Sequence, residues 1–271
     1  MKPSKKVSVL LRSIALLLLL CSLVGCTSHA SRPDYLTWSD ETESDIPVMA
    51  ETDETPKKRV ALTFDDGPNH YDKTKAIVDE LSKYGFHATF FVVGNRIAGG
   101  DSLAYAVSKG NEIGIHGYTH EQGLYYDTCT EEEYHQELNR TAQAIRDQVP
   151  GYQIKLMRPV GGRITTKRVQ TCPYAVIHWS VDSDDWNLAN RYYPGISDEE
   201  AQKRVDTIVN NVMSNVKDGD IILMHDIYES TRDATKIILQ RLYEEGYEVV
   251  TVSELLGDDL EAGRMYHSTT D

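Results

Sequence analysis

Two adjacent carboxylates, Asp65 and Asp66, stand in Phe64-Asp65-Asp66-Gly67-Pro68, at the end of the apolar run Val60-Ala61-Leu62-Thr63-Phe64. Side-by-side acids repel each other and favour protonation of one unless a cation neutralises them. Placed where a strand stops, the pair suits a metal site in which one acid binds the ion and its neighbour stays free to move protons. Asp, Gly and Pro are also ordinary turn formers, so this segment alone reads equally well as an Asp-rich turn. A histidine pair further on bears on the choice: His116 and His120, in Asn111-Glu112-Ile113-Gly114-Ile115-His116-Gly117-Tyr118-Thr119-His120. A spacing of four would put both on one helical face, but Gly114 and Gly117 argue against a helix, and Ile113 and Ile115 alternate as in a strand. Two neutral imidazoles and a carboxylate oxygen make a three-ligand set with open positions, as a catalytic divalent metal requires. A lone His is usually structural or solvated; two at this spacing, in a chain with a double Asp, favour the metal.

Three further clusters each follow a short apolar run: Arg158-Pro159-Val160-Gly161-Gly162, Asp182-Ser183-Asp184-Asp185-Trp186, and His225-Asp226 after Ile221-Ile222-Leu223-Met224. With these in place the chain resembles the polysaccharide deacetylases of carbohydrate esterase family 4. Their five motifs read, in order, Thr-Phe-Asp-Asp-Gly-Pro, His-x-x-x-His, Arg-Pro-x-x-Gly, Asp-x-x-Asp-Trp and Leu-x-His. The resemblance covers about residues 58 to 257, in the family's order and at compatible spacings. Any one motif is weak; the five together are specific.

The resemblance implies that Asp65 is the general base, that Asp66, His116 and His120 hold a divalent metal, and that His225 is the general acid. Zinc is the expected ion, with cobalt or manganese as alternatives. It also implies that Arg158 braces the base and that Asp185 braces the acid, with Asp182 as a second candidate. The implied reaction is hydrolytic deacetylation of a polysaccharide; the motifs do not choose among chitin, acetylxylan and peptidoglycan, and the membrane anchor expected from the N-terminal segment favours N-acetyl groups on N-acetylglucosamine units of cell-wall peptidoglycan. Chitooligosaccharide and acetylxylan are the alternative substrates. Two positions depart from the family pattern. Gly117 stands where Ser or Thr is common, so a hydroxyl behind the ligands is expected to be missing. Gly161 stands where an aromatic residue is common; its N–H is kept for the oxyanion, but a side-chain wall is expected to be lost. Trp186 is read as a core or cleft wall, or as a sugar platform. Tyr192 and Tyr193, in the turn-forming stretch Asn190 to Gly195, are expected at the cleft rim, against the plainer reading of a surface loop.

The elements that must position these residues alternate between two periods. Residues 59 to 64, 88 to 94, 111 to 116, 154 to 160, 175 to 182, 220 to 225 and 247 to 252 are short, apolar and rich in β-branched or aromatic residues, as strands are. Thr74 to Lys83, Glu131 to Val149, Asp198 to Asn215 and Thr231 to Glu245 carry apolar residues at helical spacing. About seven strands with intervening helices predict a parallel α/β architecture. Every chemical motif ends a run, which is where parallel barrels build their sites. The resemblance specifies a distorted, incomplete (β/α) barrel. That alternation does not support the β-sandwich or cupin-like scaffolds on which two-His, one-carboxylate iron oxygenases are built. A non-catalytic sugar-binding module would have no need to keep Asp65, Asp66, His116, His120 and His225 together.

Residues 1–25 carry Lys2, Lys5, Lys6 and Arg12 and then a nearly unbroken apolar run, the pattern of a signal peptide rather than a spanning helix. Leu23-Val24-Gly25-Cys26 resembles a bacterial lipobox, making Cys26 the expected lipidated first residue and the outer side of the bacterial membrane the expected location. Residues 26–57, rich in Ser, Thr, Asp, Glu and Pro, read as a flexible tether. Residues 58–257 then form the catalytic domain and 258–271 a C-terminal tail. The formal charge of −14, about −18 without residues 1–25, argues against a nucleic-acid partner. The expected partners are an N-acetylated glycan and, through the lipid, the membrane; a monomer is expected. Of four cysteines, Cys129 and Cys172 lie in the domain, and spacing alone leaves a disulfide between them open.

Overall fold

The computed structural model describes residues 57–68, 73–97, 100–121, 124–188, 196–257 and 260–270. The expected leader, Cys26, all of the tether but Lys57, and Tyr192 and Tyr193 lie outside the described residues.

Among the described residues, nine strands form one parallel sheet: β1 (Lys58–Asp65), β2 (Thr89–Val92), β3 (Glu112–Ile115), β4 (Leu156–Met157), β5 (Ala175–Ile177), β6 (Val181–Asp182), β7 (Ile221–His225), β8 (Tyr247–Val250) and β9 (Met265–Tyr266). Their order is β6-β7-β1-β2-β3-β4-β5-β9, and β8 pairs with the first half of β1. Each of the seven expected runs contains a strand. Residues 175 to 182 divide into two because the chain changes edge there. The His178 N–H donates to Tyr266 of β9 (2.7 Å) and the Ser180 N–H to Ile221 of β7 (3.0 Å). Three residues thus carry the chain across the seam of a curled sheet, and the barrel is incomplete because its end strands, β6 and β9, do not pair with each other. Residues 265–266, expected in a tail, form β9 beside β5.

Eight α-helices are described: α1 (Lys73–Lys83), α2 (Ser102–Ser108), α3 (Glu131–Gln148), α4 (Thr166–Thr171), α5 (Asp185–Leu188), α6 (Asp198–Met213), α7 (Glu229–Glu244) and α8 (Val252–Leu256). The four long ones match the expected helices within a few residues. The other four are too short to show a period. Helix α3 begins at a capping box, the Thr130 side chain meeting the Glu133 N–H and the Glu133 side chain reaching back. It then buries Tyr134, Leu138, Ala142 and Ile145 on one stripe, each large side chain contributing about 1.5–3 kcal/mol on full burial.

Strand pleating separates two environments. Along β1, Val60, Leu62 and Phe64 belong to the main hydrophobic core with the helices, while Ala61 belongs to a second cluster with Phe91, Leu156, Ile177, Ile221 and α8. The second set lines the barrel interior. Following Ala61 on that face come Thr63 and then Asp65, so the interior grades from apolar floor to charged mouth. Cys129 and Cys172 are both buried free thiols.

Candidate active site

Because all strands run the same way, their C-terminal ends meet at one mouth. Asp66 follows β1, His116 and His120 follow β3, and one lone-pair atom from each of the three lies within 4.8 Å of the others. His120 Nε2 stands 2.9 Å and His116 Nε2 3.6 Å from Asp66 Oδ1. The other ring nitrogen of His116 lies 3.0 Å from the Arg158 carbonyl. A carbonyl can only accept, so Nδ1 carries the proton and Nε2 offers its lone pair to the cluster. Two of the three residues adopt positive φ, Asp66 at 78° and His120 at 55°. Outside glycine this is sparsely populated backbone that clusters at functional sites. Burial opposes ionisation of Asp66, but the His120 hydrogen bond and the charges of His116, His120 and His225 hold it well below the usual carboxylate range. Burial pushes His116 below the ordinary imidazole range, against the opposing charges of Asp65 and Asp66. His120 is subject to the same burial, but the hydrogen bond and charge of Asp66 outweigh it and raise its pKa. One buried carboxylate oxygen and two imidazole nitrogens, with the His120 side chain 31% exposed, fit a zinc-like divalent cation with positions open to solvent.

Asp65 points the same way. Its Oδ1 accepts from Arg158 Nη1 at 2.8 Å, while Oδ2 faces His116 Nε2 at 3.6 Å. Arg158 is fully buried in the barrel, and its remaining donors reach Thr63 Oγ1 (2.8 Å), the Ile177 carbonyl (3.2 Å) and the His178 carbonyl (2.8 Å). The same side chain thus closes the seam and holds Asp65. A buried guanidinium needs that many acceptors, since removing one partner of such a pair typically costs about 3–5 kcal/mol.

His225, at the end of β7, is in register with Asp65 on the neighbouring strand. Its Nδ1 meets Asp185 Oδ1 at 2.7 Å, and its backbone N–H donates to Asp185 Oδ2 at 2.7 Å. The hydroxyl of Thr231 also donates to Asp185 Oδ2, at 2.7 Å. Burial alone would lower the His225 pKa; the Asp185 hydrogen bond and the charges of Asp185, Asp65 and Asp66 prevail and push it up to about 9. The alternative brace, Asp182, is exposed and accepts from the Asp184 N–H instead. Asp226, next in sequence, is fully buried against the Thr74 hydroxyl; burial, with the Asp66 charge added, raises its pKa to about 7.

At both positions that depart from the family pattern, other side chains occupy the space beside the glycine. Gly117 has φ +83°, and a Cβ there would lie 3.2 Å from the Tyr126 hydroxyl and 3.3 Å from Glu137 Oε2. The space beside Gly117 therefore already holds a hydroxyl and a carboxylate. Gly161 has φ +59°, and a Cβ there would lie 3.5 Å from the ring of Tyr125. That ring flanks residue 161 as a wall, with the Arg163 guanidinium stacked 4.2 Å from its centre and Asp127 holding Arg163 at 2.9 Å. Among the described residues the Gly161 N–H has no hydrogen-bond acceptor. Trp186, on α5, is 47% exposed and so is no core residue. Sequence reasoning passed over Tyr125, Tyr126, Glu137 and Thr231. Of these only Glu137 carried a signal, a charge on the buried stripe of α3.

An incomplete parallel barrel thus brings an Asp-His-His cluster, a clamped carboxylate and a carboxylate-paired imidazole together at its mouth, a set suited to metal-assisted hydrolysis. The sequence profile described as polysaccharide deacetylase matches residues 52–175. A peptidoglycan-N-acetylglucosamine deacetylase of Bacillus cereus is 35% identical over 207 residues, covering 74% of this chain and 89% of the relative. The peptidoglycan-N-acetylglucosamine deacetylase PgdA of Listeria monocytogenes is 34% identical over 231 residues, 83% of this chain and 46% of the relative. The solved structure of the peptidoglycan deacetylase PdaC from Bacillus subtilis superposes with a TM-score of 0.64 at 36% identity, covering 73% of this chain and 90% of that one. The chain belongs to the polysaccharide deacetylase family. It spans about half the length of PgdA.

Proposed function

We propose that this protein hydrolyses N-acetyl groups from N-acetylglucosamine units of cell-wall peptidoglycan, releasing acetate, with a divalent metal held by Asp66, His116 and His120. The observation that carries the reading is the register of Asp65 beside His225 next to that cluster: one clamped by Arg158, the other by Asp185. Zinc suits one oxygen and two nitrogen donors; cobalt and manganese suit them too. When bound, such an ion supplies a water of lowered pKa and polarises the amide carbonyl. The chain's own groups supply the rest. Asp65 Oδ2 takes a proton as water attacks the acetyl carbon. The Gly161 N–H donates to the carbonyl oxygen as charge builds there, a type of contribution worth about 3 kcal/mol per donor. His225, protonated below about pH 9, gives its Nε2 proton to the departing amine, leaving acetate and a glucosamine unit.

The substrate follows from location. Lipidation at Cys26 and a tether over residues 26–57 would confine the domain to the zone beside the bacterial membrane, where its effective concentration on wall polymer is high. Peptidoglycan is the N-acetylated glycan there, and chitooligosaccharides share its acetamidosugar. Free amines left on the wall would be cationic at neutral pH. The test is deletion of the gene in its host and a count of free amino sugars in purified wall. Loss of free glucosamine supports the reading; unchanged glucosamine, with clear activity of the pure protein on acetylxylan, contradicts it.

A further inference from the structure

Glu137 lies on the buried stripe of α3 between Tyr134 and Leu138, at 4% exposure. A carboxylate in such a place is costly unless hydrogen bonds satisfy it. Its Oε2 accepts from the Tyr118 N–H at 2.6 Å and the Thr119 N–H at 2.9 Å, and its Oε1 from the Thr119 hydroxyl at 3.3 Å. These are two of the three residues that separate His116 from His120. The carbonyls of the same loop are held from the other side: Gly117 accepts from the Gly94 N–H (3.0 Å) and Tyr118 from the Asn95 N–H (2.9 Å). One turn along α3, the Arg140 guanidinium lies 3.6 Å over the Tyr118 ring. The ligand loop is therefore slung between the turn at Gly94–Arg96 and α3, and Glu137 is the α3 anchor for its N–H groups. Such an anchor matters because His120, next along, sits at φ 55°, a conformation that relaxes once its surroundings stop imposing it. The bare Gly117 leaves room for the anchor, since a side chain there would crowd Glu137 Oε2.

We infer that Glu137 is a positioning residue for the metal centre. It touches no ligand imidazole; by holding the Tyr118 and Thr119 N–H groups it fixes the separation and aim of His116 and His120, and so sets metal affinity. This rests on the reading of Asp66, His116 and His120 as the ligands. A carboxylate that served the fold alone would alter melting temperature and leave affinity untouched.

Two conservative variants separate these roles. Glu137→Asp keeps the charge but withdraws the acceptor by one methylene. Glu137→Gln keeps the reach: its amide oxygen can take both N–H groups while its NH2 donates to the Thr119 hydroxyl. Zinc affinity of the purified full chain is measured by competition with a chromogenic chelator, beside the visible spectrum of the cobalt-loaded protein, with folding monitored by circular dichroism. The expected result is about 10–100-fold weaker zinc binding and shifted cobalt bands for Glu137→Asp, with Glu137→Gln within about 3-fold of wild type, since its hydrogen bonds survive. A folded Glu137→Asp that binds zinc as wild type does would overturn the inference, as would equal losses in the two variants. If the wild-type chain itself binds no zinc, the ligand assignment fails, and this inference with it.

Discussion

The inner mouth of the barrel and its outer rim differ in how their side chains are held. Inside, Asp65 is fixed by Arg158, His225 by Asp185, and His116 by the Arg158 carbonyl, each through contacts of 2.7–3.0 Å among groups that are mostly buried. At the rim, Trp186 is half exposed, and the Tyr125 ring carries a stacked guanidinium. The difference fits the proposed division of labour. Groups that move protons need fixed geometry and shifted pKa values, which buried partners supply. Groups that meet a polymer need exposed surface, and a modest apolar contact suffices.

The largest effect should come from breaking the inner set. Asp65→Asn keeps the shape and the Arg158 contact on Oδ1 but removes the proton acceptor. It should retain the metal and lose turnover by about 10² to 10⁴-fold. Turnover near wild type with metal present would remove Asp65 from the chemistry.

A second change sharpens the comparison by altering a brace. The folded pKa of His225, about 9, lies above the unperturbed value of about 6.5, so the protonated acid is present below that range and is lost as pH rises through it. A bound cation would offset the Asp66 charge and bring the limb somewhat lower. Asp185→Asn removes the leading opposite charge, so the alkaline limb of kcat should move toward neutral pH, with a loss on the order of 10-fold at pH 8 from the smaller protonated fraction. A limb that stays where it was would mean that Asp185 does not set the charge of His225.

The smallest effect belongs to the rim. Trp186→Ala should raise KM for a chitooligosaccharide about 5-fold, a change of roughly 1 kcal/mol, with kcat little altered. A fall in kcat with unchanged KM would move Trp186 from the rim to the mouth.

The same division governs what could be read from the sequence. Asp65-Asp66, His116 with His120, and His225 are legible because each set lies within a few residues of one strand end, and alternation along β1 places Asp65 on the inward face without further information. Asp185 as the brace, with Asp182 second, came from the family pattern and not from a local signal: Asp182 ends β6, Asp185 opens α5, and it is the fold that buries Asp185 against Thr231 of α7. Splitting residues 175–182 into β5 and β6 needed the two sheet edges, which no local pattern encodes. Nor could sequence pair Tyr125 with Gly161 or Glu137 with the ligand loop, since those contacts arise from packing across the fold. Glu137 alone left a trace, as an acid on the buried face of an amphipathic helix.

The proposed chemistry depends most on a metal bound at the Asp66, His116 and His120 cluster. The direct measurement is acetate release from a chitooligosaccharide by the purified chain, with metal content by elemental analysis, before chelation, after it and after zinc is restored. About one equivalent of metal, as a single such cluster would hold, should be found, with acetate release lost on chelation and returned by zinc. Undiminished acetate release from metal-free protein would contradict the account.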